Sequence, residues 1–213
     1  EHLENKGLIS HKGTIVDATF VDAPRQRNSR DENKKIKNGV IPEEWEKPEN
    51  KSKLAQKDID ADWTKKNGER HFGYKDHVKC DADSKLITNY SVTSASVHDS
   101  QRCLVFIGQE DEVLYADSAY SGKPIALALP ENCKNQICEK GYRNSPLTSE
   151  QKMNNRRKSR IRCRIEHIFG FMTGAMHGIT IRSIGITRAW MNIGITNLVY
   201  NFCRYSYLKR ASA

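Results

Sequence analysis

Apolar and polar residues alternate along residues 13–23, which read GTIVDATFVDA. A period of two, together with many β-branched residues, predicts a half-buried β-strand. Asp17 falls in the middle of this strand, on the same face as Ile15 and Thr19. A carboxylate at such a position is costly to bury unless a cation compensates its charge. We therefore interpret Asp17 as a metal ligand or, alternatively, as an aspartate in a salt bridge or at an exposed edge.

Four more strands are predicted further along the chain. Residues 70–80 and 86–93 also alternate, and the sequence DADS between them is typical of a hairpin turn. With residues 13–23 they predict three antiparallel strands. Residues 112–116 (EVLYA) predict a short buried strand, and residues 135–138 (NQIC) predict another.

Residues 97–100 are predicted to cap a helix that runs to about residue 107, with Asp99 or Ser100 as its N-cap. We interpret Asp99 as a capping residue and His98 as one partner of a local hydrogen bond. A role for these two residues near an active site is the alternative.

Asp117 directly follows the strand predicted at residues 112–116 and precedes a turn of small residues. The carboxyl end of a parallel strand, where a turn leads into a helix, is where α/β sheets bind their ligands. The alternative is that Asp117 only caps the helix predicted over residues 121–129.

Two longer helices complete the pattern. Residues 149–173 carry an apolar stripe that can dock on a sheet, formed by Ile161, Ile165, Ile168 and Met172. Arg162 and Glu166 share the neighbouring face, one turn apart. A final helix over residues 187–209 is interpreted as structural cover, with core side chains Trp190, Ile193, Leu198, Phe202 and Tyr205.

Residues 24–68 interrupt this order with dense mixed charge, two prolines and few apolar residues. Such a segment can bury little, so we expect a mobile insertion with one short helix. The alternative is an arm that contacts phosphates through Arg25, Arg27, Arg30, Lys34 and Lys35.

Composition narrows the class of protein. The 213 residues allow one domain, over residues 1–210, and 35 Lys and Arg against 26 Asp and Glu give a net charge of +9. A basic balance favours a polyanionic partner over a neutral small molecule. The six cysteines lack zinc-site spacing, which indicates reduced thiols and a cytoplasmic protein. No apolar run approaches the roughly 18 residues of a membrane span, and we expect no signal peptide.

Three carboxylates stand out: Asp17, Asp117 and Glu166. An order of three strands, a helix, a strand and a helix brings the first and fourth strands side by side in an RNase H-like sheet. The long helix then lays Glu166 across their ends. Such an arrangement can hold two divalent ions about 4 Å apart for phosphoryl transfer. Oxygen ligands suit Mg²⁺ or Mn²⁺ and do not suit zinc.

Four stretches of the chain resemble the DDE transposases of bacterial insertion sequences, specifically insertion-sequence families four and five. The stretches are VDATFVDAPRQ (16–26), HFGYKDHVKCDADSKLITNYSVTSASVHDS (71–100), LYADSAYSG (114–122) and RCRIEHIFGFM (162–172). The resemblance implies an RNase H-like mixed sheet of five strands, three antiparallel and then parallel, with helices on both faces. In the family motif around the third acid, Arg162 and Glu166 match, whereas Ser159 replaces Tyr and Thr173 replaces a Lys that helps to position DNA.

The resemblance also implies the chemistry. Water attacks a phosphodiester at the transposon end with the help of two Mg²⁺ or Mn²⁺ ions held by Asp17, Asp117 and Glu166, and the freed 3′-hydroxyl attacks target DNA. A homo-oligomer would assemble on the DNA. The flanking phosphates would contact the basic run RRKSRIRCR, which contains Arg156, Arg157, Lys158, Arg160, Arg162 and Arg164.

The alternatives are a structure-directed nuclease and a degenerate remnant that binds DNA through charge alone. The family usually carries a helical DNA-binding region before the first catalytic strand, and only residues 1–12 precede it here. Because the chain begins with Glu, we expect it to be a piece of a longer chain or a truncated remnant. We expect residues 1–213 alone not to transpose DNA.

Overall fold

The structure is a computed structural model that describes residues 2–66 and 68–211. Two short 3-10 turns lie at Pro48–Asn50 and Ser118–Tyr120. The other elements, in chain order, are α1 (His2–Asn5), β1 (Thr14–Asp22), α2 (Arg30–Lys37), α3 (Glu43–Glu46), α4 (Lys51–Ala55), β2 (Asp62–Lys66), β3 (Glu69–Asp81), β4 (Ile87–Ser94), α5 (Ser100–Phe106), β5 (Val113–Tyr115), α6 (Lys123–Ala128), β6 (Lys134–Asn135), α7 (Ser149–Arg162), α8 (Arg164–Gly174) and α9 (Ile186–Ala211).

The strands form one mixed sheet in which β3 is the longest member. β1 pairs with one edge of β3 in antiparallel fashion, from Thr14 opposite Asp81 to Asp22 opposite Gly73. On its other edge β1 pairs in parallel with β5, which in turn pairs in parallel with β6. The predicted mixed sheet, with three antiparallel strands followed by parallel ones, is confirmed.

The sheet has six strands where the sequence predicts five. The additional strand is β2, which lies inside the predicted insertion at residues 24–68 and pairs with the first part of β3, up to Gly73. β4 pairs with the same edge of β3 from Tyr74 onward. Gly73 has φ +146°, and a Cβ on it would lie 2.3 Å from the carbonyl oxygen of Val21. Only glycine therefore fits where β3 passes from one partner to the other.

The insertion contains more regular structure than the one short helix expected for it. Ser29 caps α2 through a reciprocal capping box with Glu32, which satisfies two otherwise unpaired backbone N–H groups. The indole of Trp45 is fully buried, and its Nε1 donates a hydrogen bond to Glu32 Oε1 at 2.8 Å. One buried aromatic ring and one strand thus tie a highly charged segment to the domain.

Helices cover both faces of the sheet, as predicted. On one face, α8 packs Ile165, Ile168 and Met172 against Ile15 and Val78 of the strands. α9 packs on the same face through Ala189 and Ile193. The opposite face holds α5 and α6, which bury Cys103, Phe106 and Ile125 against Val16 and Leu114. Alternate residues of β1 therefore contact different helices.

The predicted helix over residues 149–173 is in fact two helices, α7 and α8, which meet at Cys163. The predicted final helix is present as α9, but part of its predicted core is exposed. Ile193 and Tyr200 are buried, whereas Trp190, Leu198 and Phe202 are 41–61% exposed. A helix that covers a single sheet turns only one side to it, so its remaining apolar side chains face solvent.

Near α5, one of the two predicted contacts is confirmed. His98 Nδ1 lies 2.8 Å from Ser100 Oγ, as expected for a local hydrogen bond. Asp99 occupies the N-cap position, but its side chain makes no capping bond. Its carboxylate instead accepts a hydrogen bond from Lys75 Nζ at 2.8 Å, because the nearby lysine is a stronger partner than a backbone amide.

One buried polar pair makes a prediction about stability. Asp76 is fully buried between β3 and α9, and burial raises the pKa of its carboxyl to about 7 from an ordinary 3.8. Asn197 Nδ2 donates to Asp76 Oδ1, while Asp76 Oδ2 and Asn197 Oδ1 lack partners among the described residues. An amide in place of the carboxyl could donate to Asn197 Oδ1 and would never ionise.

We expect Asp76→Asn to raise the free energy of unfolding by about 2–4 kcal/mol near pH 8 and to change it little near pH 4. The native state holds its proton more tightly than the unfolded chain, so this contribution is present below the unfolded pKa and is lost as the pH rises towards 7. Urea denaturation at both pH values measures the difference. The exposed Glu131→Gln is the control, and a pH-independent effect of Asp76→Asn would contradict the assignment.

Candidate active site

The strand register brings Asp17 and Asp117 to the same level of the sheet. Thr14 lies opposite Leu114 and Ile15 opposite Tyr115 in the parallel pair of β1 and β5. Asp117 follows in an extended conformation, with φ −76° and ψ 176°, so the same register places it beside Asp17. Paired residues of parallel strands point to one face, and neighbouring strands are about 4.8 Å apart. The two carboxylates therefore share the face covered by α8.

The environment of Asp17 is both buried and charged. Its side chain is only 15% exposed, Oδ1 accepts a hydrogen bond from Ala18 N at 2.8 Å, and Oδ2 accepts one from Arg162 Nη1 at 3.0 Å. Burial is the main reason why the pKa of Asp17 rises to about 6, and the charge of Asp117 raises it further. The Ala18 amide and Arg162 act in the opposite direction. Asp17 is thus in a salt bridge, as the alternative interpretation held, next to a second acid.

Asp117 ends the extended segment after β5. Its Oδ1 accepts a hydrogen bond from Ala119 N at 2.7 Å and so caps the 3-10 turn at Ser118–Tyr120. The predicted helix over residues 121–129 is present as α6, but it begins only at Lys123, and Asp117 does not cap it. Capping the turn fixes the orientation of the carboxylate through one oxygen.

Glu166 reaches the same site from the helical layer. It lies in the first turn of α8, next to the fully buried Ile165, and its own side chain is 57% exposed. Glu166 Oε1 accepts a hydrogen bond from Arg162 Nη2 at 2.7 Å. Because the same guanidinium also donates to Asp17, Arg162 bridges two of the three predicted acids. The break at Cys163 separates Arg162, at the end of α7, from the helix that carries Glu166.

The donor set of this site fits a hard divalent cation. The three acids offer carboxylate oxygens, which Mg²⁺ and Mn²⁺ prefer. A guanidinium already lies between two of the acids, which shows that the site accommodates positive charge. Asp17, Asp117 and Glu166 are the residues that could hold such ions.

Among the described residues, the group whose possible ligand atoms all lie within 4.8 Å of one another is not formed by Asp17, Asp117 and Glu166 but lies elsewhere. Possible ligand atoms of His11, Glu110 and Asp111 fall within 4.8 Å of one another. The buried Asp111, however, accepts hydrogen bonds from Lys79 Nζ at 2.8 Å and Thr14 Oγ1 at 2.6 Å. Lys79 also lies 3.7 Å from Glu110 Oε1. One lysine therefore compensates both carboxylates.

The basic run divides into engaged and exposed side chains. Lys158 donates to the carbonyl oxygen of Ile137 at 2.9 Å, Arg162 bridges the acids, and Arg164 donates to the carbonyl oxygen of Ala82 at 2.8 Å. The exposed members are Arg156, Arg157 and Arg160.

Sequence reasoning missed one cation of this surface. Lys152 lies one turn before Arg156, and with Arg160 these exposed residues form a ridge at positions i, i+4 and i+8 along α7. They border a groove that also contains Asn155 and Cys163. Lys152 stands outside the dense run, so only the helical period could have identified it.

The two departures from the family motif have local partners. Ser159 Oγ lies 3.8 Å from the sulfur of Cys138. Thr173 is exposed near the end of α8, and its hydroxyl donates to the carbonyl oxygen of Phe169 at 2.9 Å. Neither hydroxyl bonds to Asp17, Asp117 or Glu166 in the described structure.

Comparison with known families decides the identity of the domain. The family model described as the transposase DDE domain matches residues 9–202. The chain belongs to the transposase DDE domain family. The fold of this transposase domain, with its mixed sheet between helices, is the one expected from the resemblance. No solved structure matches the chain. No helix in the described ranges is long and apolar enough to cross a membrane.

The bridge through Arg162 makes a prediction about stability. Arg162→Ala leaves the buried Asp17 without its cation, and we expect it to lower the free energy of unfolding by about 1–3 kcal/mol near pH 8. Near pH 5 the loss is smaller, because Asp17 in the folded transposase domain is then largely protonated. Denaturant titrations without metal measure both values. Arg160→Ala, an exposed change on the same helix, is the control, and equal losses for the two variants would contradict the bridge.

Proposed function

We propose that this domain cleaves DNA strands and transfers them at insertion-sequence ends, with Asp17, Asp117 and Glu166 as ligands of two Mg²⁺ or Mn²⁺ ions. The observation that supports this most is that Asp17 lies on β1 and Asp117 directly follows the adjacent parallel strand β5 at the same level, with Glu166 joined to Asp17 through Arg162. Such ions activate the attacking oxygen and stabilise the leaving oxygen of a phosphodiester.

The protein residues hold the site ready for this chemistry. Backbone pairing with β3 fixes Asp17, the capping bond from Ala119 orients Asp117, and Glu166 comes from a helix anchored by buried side chains. Arg162 neutralises Asp17 and Glu166 until a cation binds. Its guanidinium is then free to contact a phosphate oxygen of the reacting strand, which gains negative charge during transfer.

The DNA backbone would follow the exposed ridge of α7. Lys152, Arg156 and Arg160 rise about 6 Å per step along the helix, close to the spacing of successive phosphates on one strand. These contacts would position DNA without reading its sequence, together with the predicted contacts of Arg157, Lys158, Arg162 and Arg164. We further propose bacterial insertion-sequence families four and five as the source, homo-oligomers on DNA, and a cytoplasmic site of action.

Two other functions fit parts of the same structure. A structure-directed nuclease would cleave but would not join a pre-cut donor end to target DNA. A degenerate remnant would bind DNA with a steep salt dependence and would cleave nothing. We favour the transposase because the chain belongs to the transposase DDE domain family and because Arg162 joins Asp17 to Glu166.

Metal binding and cleavage test the proposal together. We expect Asp17→Asn and Asp117→Asn each to weaken Mn²⁺ binding in calorimetry, because each removes a charged ligand oxygen. The three single variants Asp17→Asn, Asp117→Asn and Glu166→Gln should each reduce Mn²⁺-dependent cleavage of a DNA duplex by about 10²-fold or more. Circular dichroism confirms that each variant is folded.

Glu110→Gln is the matched control, because it removes one carboxylate from the cluster that Lys79 compensates. It should leave Mn²⁺ binding and cleavage unchanged. Loss of Mn²⁺ binding in Glu110→Gln but not in Asp17→Asn or Asp117→Asn would place the ion in the wrong cluster and overturn the proposal. Unchanged cleavage in all three acid variants would do the same.

A further inference from the structure

A basic cavity of about 570 Å³ lies where β1 ends and the insertion begins. Its walls come from three separate segments: the residues after β1, helix α4 with the turn that follows it, and the loop before α9. Four cationic side chains line it, namely Arg25, Lys53, Lys57 and Arg182. None of them belongs to the basic run or touches the three acids in the described structure.

The single acid in the cavity wall is already engaged. Asp58 is 4% exposed, and its oxygens accept hydrogen bonds from Tyr74 Oη at 2.8 and 2.7 Å and from the amides of Asp60 and Ala61. Each of these hydrogen bonds comes from a hydroxyl or an amide, so within the described ranges Asp58 forms no ion pair with the four cations. The cavity therefore keeps an excess of positive charge.

Aromatic rings fix three of these cations. The guanidinium of Arg25 lies 5.7 Å from the centre of the Trp63 ring, and the ammonium groups of Lys53 and Lys57 lie 5.4 and 5.1 Å from that of Trp45. Lys57 also donates to the carbonyl oxygen of Arg27 at 3.1 Å. Cations held over rings lose less freedom when they bind an anion than cations on a solvated surface do.

Two of the four cations are available to an incoming anion. Lys53 lies 3.7 Å from Glu32 Oε1, a loose ion pair that an incoming anion could replace. Arg182 is exposed, and it makes no hydrogen bond or ion pair within the described part of the chain. At least one full positive charge at the cavity mouth is thus available to a ligand.

The cavity lies on the same face of the sheet as the acids. Ala23 lines it and follows Asp17 by six residues, so an even number of steps puts both on one face. The loop before α9 runs beside the end of β1, where Ile181 N donates to the carbonyl oxygen of Asp22 at 3.0 Å. Six residues of strand span about 20 Å, the length of about six base pairs of DNA.

We propose that this cavity binds a backbone phosphate of the DNA about six base pairs away from the reacting phosphodiester. The identity of the polyanion rests on the proposed function, whereas the site itself rests on the four converging cations. The insertion then serves as a second DNA contact, which sets the direction in which the duplex leaves the acids.

DNA binding without metal tests this independently of cleavage. We expect Arg182→Ala and Lys53→Ala each to weaken binding of a fluorescent duplex by about 5–10-fold at 0.1 M salt and to lower the salt slope by about one. Arg182→Lys should retain most of the affinity, because it keeps the charge. Lys37→Ala removes an exposed cation of the same insertion outside the cavity and should change affinity by less than about 2-fold.

A second arm separates DNA from free phosphate. Uncharged methylphosphonate linkages are moved stepwise along the duplex, and one position near six base pairs from the pre-cut end should weaken wild type but not Arg182→Ala. Cavity variants that bind DNA no more weakly than Lys37→Ala would overturn the proposal. The proposal would also be overturned if millimolar inorganic phosphate occupied the cavity of the wild type but not that of Arg182→Ala, while both proteins bound DNA equally well. If the acid variants bind DNA normally but no longer cleave it, that result bears on the proposed role of the acids and not on the cavity.

Discussion

A carboxylate in the middle of a buried strand is the constraint around which this domain is arranged. Asp17 cannot leave β1 without breaking the pairing with β3, so its charge must be compensated where it stands. Arg162 supplies the compensation from the helical layer, and the proximity of Asp117 adds repulsion that a single guanidinium offsets only in part. The protein thereby keeps a concentration of negative charge that would favour divalent cations, at some expense of stability.

Rigid elements hold each part of this arrangement. Backbone hydrogen bonds set the relative height of Asp17 and Asp117, and the buried stripe of α8 sets the distance of Glu166 from the sheet. Arg162 and Glu166 lie one turn apart on either side of the break at Cys163. The guanidinium of Arg162 donates to Glu166 and across to Asp17 at the same time. Precise placement on strands and helices is what an active site for phosphoryl transfer requires.

Much of the fold follows from local patterns, and the exceptions have physical causes. The period of two identified β1, β3 and β4, whereas Asp17, Asp117 and Glu166 were singled out by their positions on strands and a helix and matched by the resemblance. Strand β2 was missed because its sequence, DWTKK, is too polar to alternate clearly, and its pairing comes from the exposed edge of β3. The cavity at the end of β1 was invisible because its cations lie far apart in sequence. The period of α9 fitted a core helix, but periodicity alone does not say how many sides of a helix are covered.

The shared edge of β3 has a consequence for how the domain could have evolved. β2 and β4 divide that edge between them at Gly73, so the insertion completes the sheet instead of merely decorating it. A shorter ancestor without residues 24–68 would have left five backbone positions of β3 unpaired and open to intermolecular strand pairing. A protein without this segment therefore needs another element to cover the exposed edge of β3. In natural relatives that lack it, β3 should begin near Gly73.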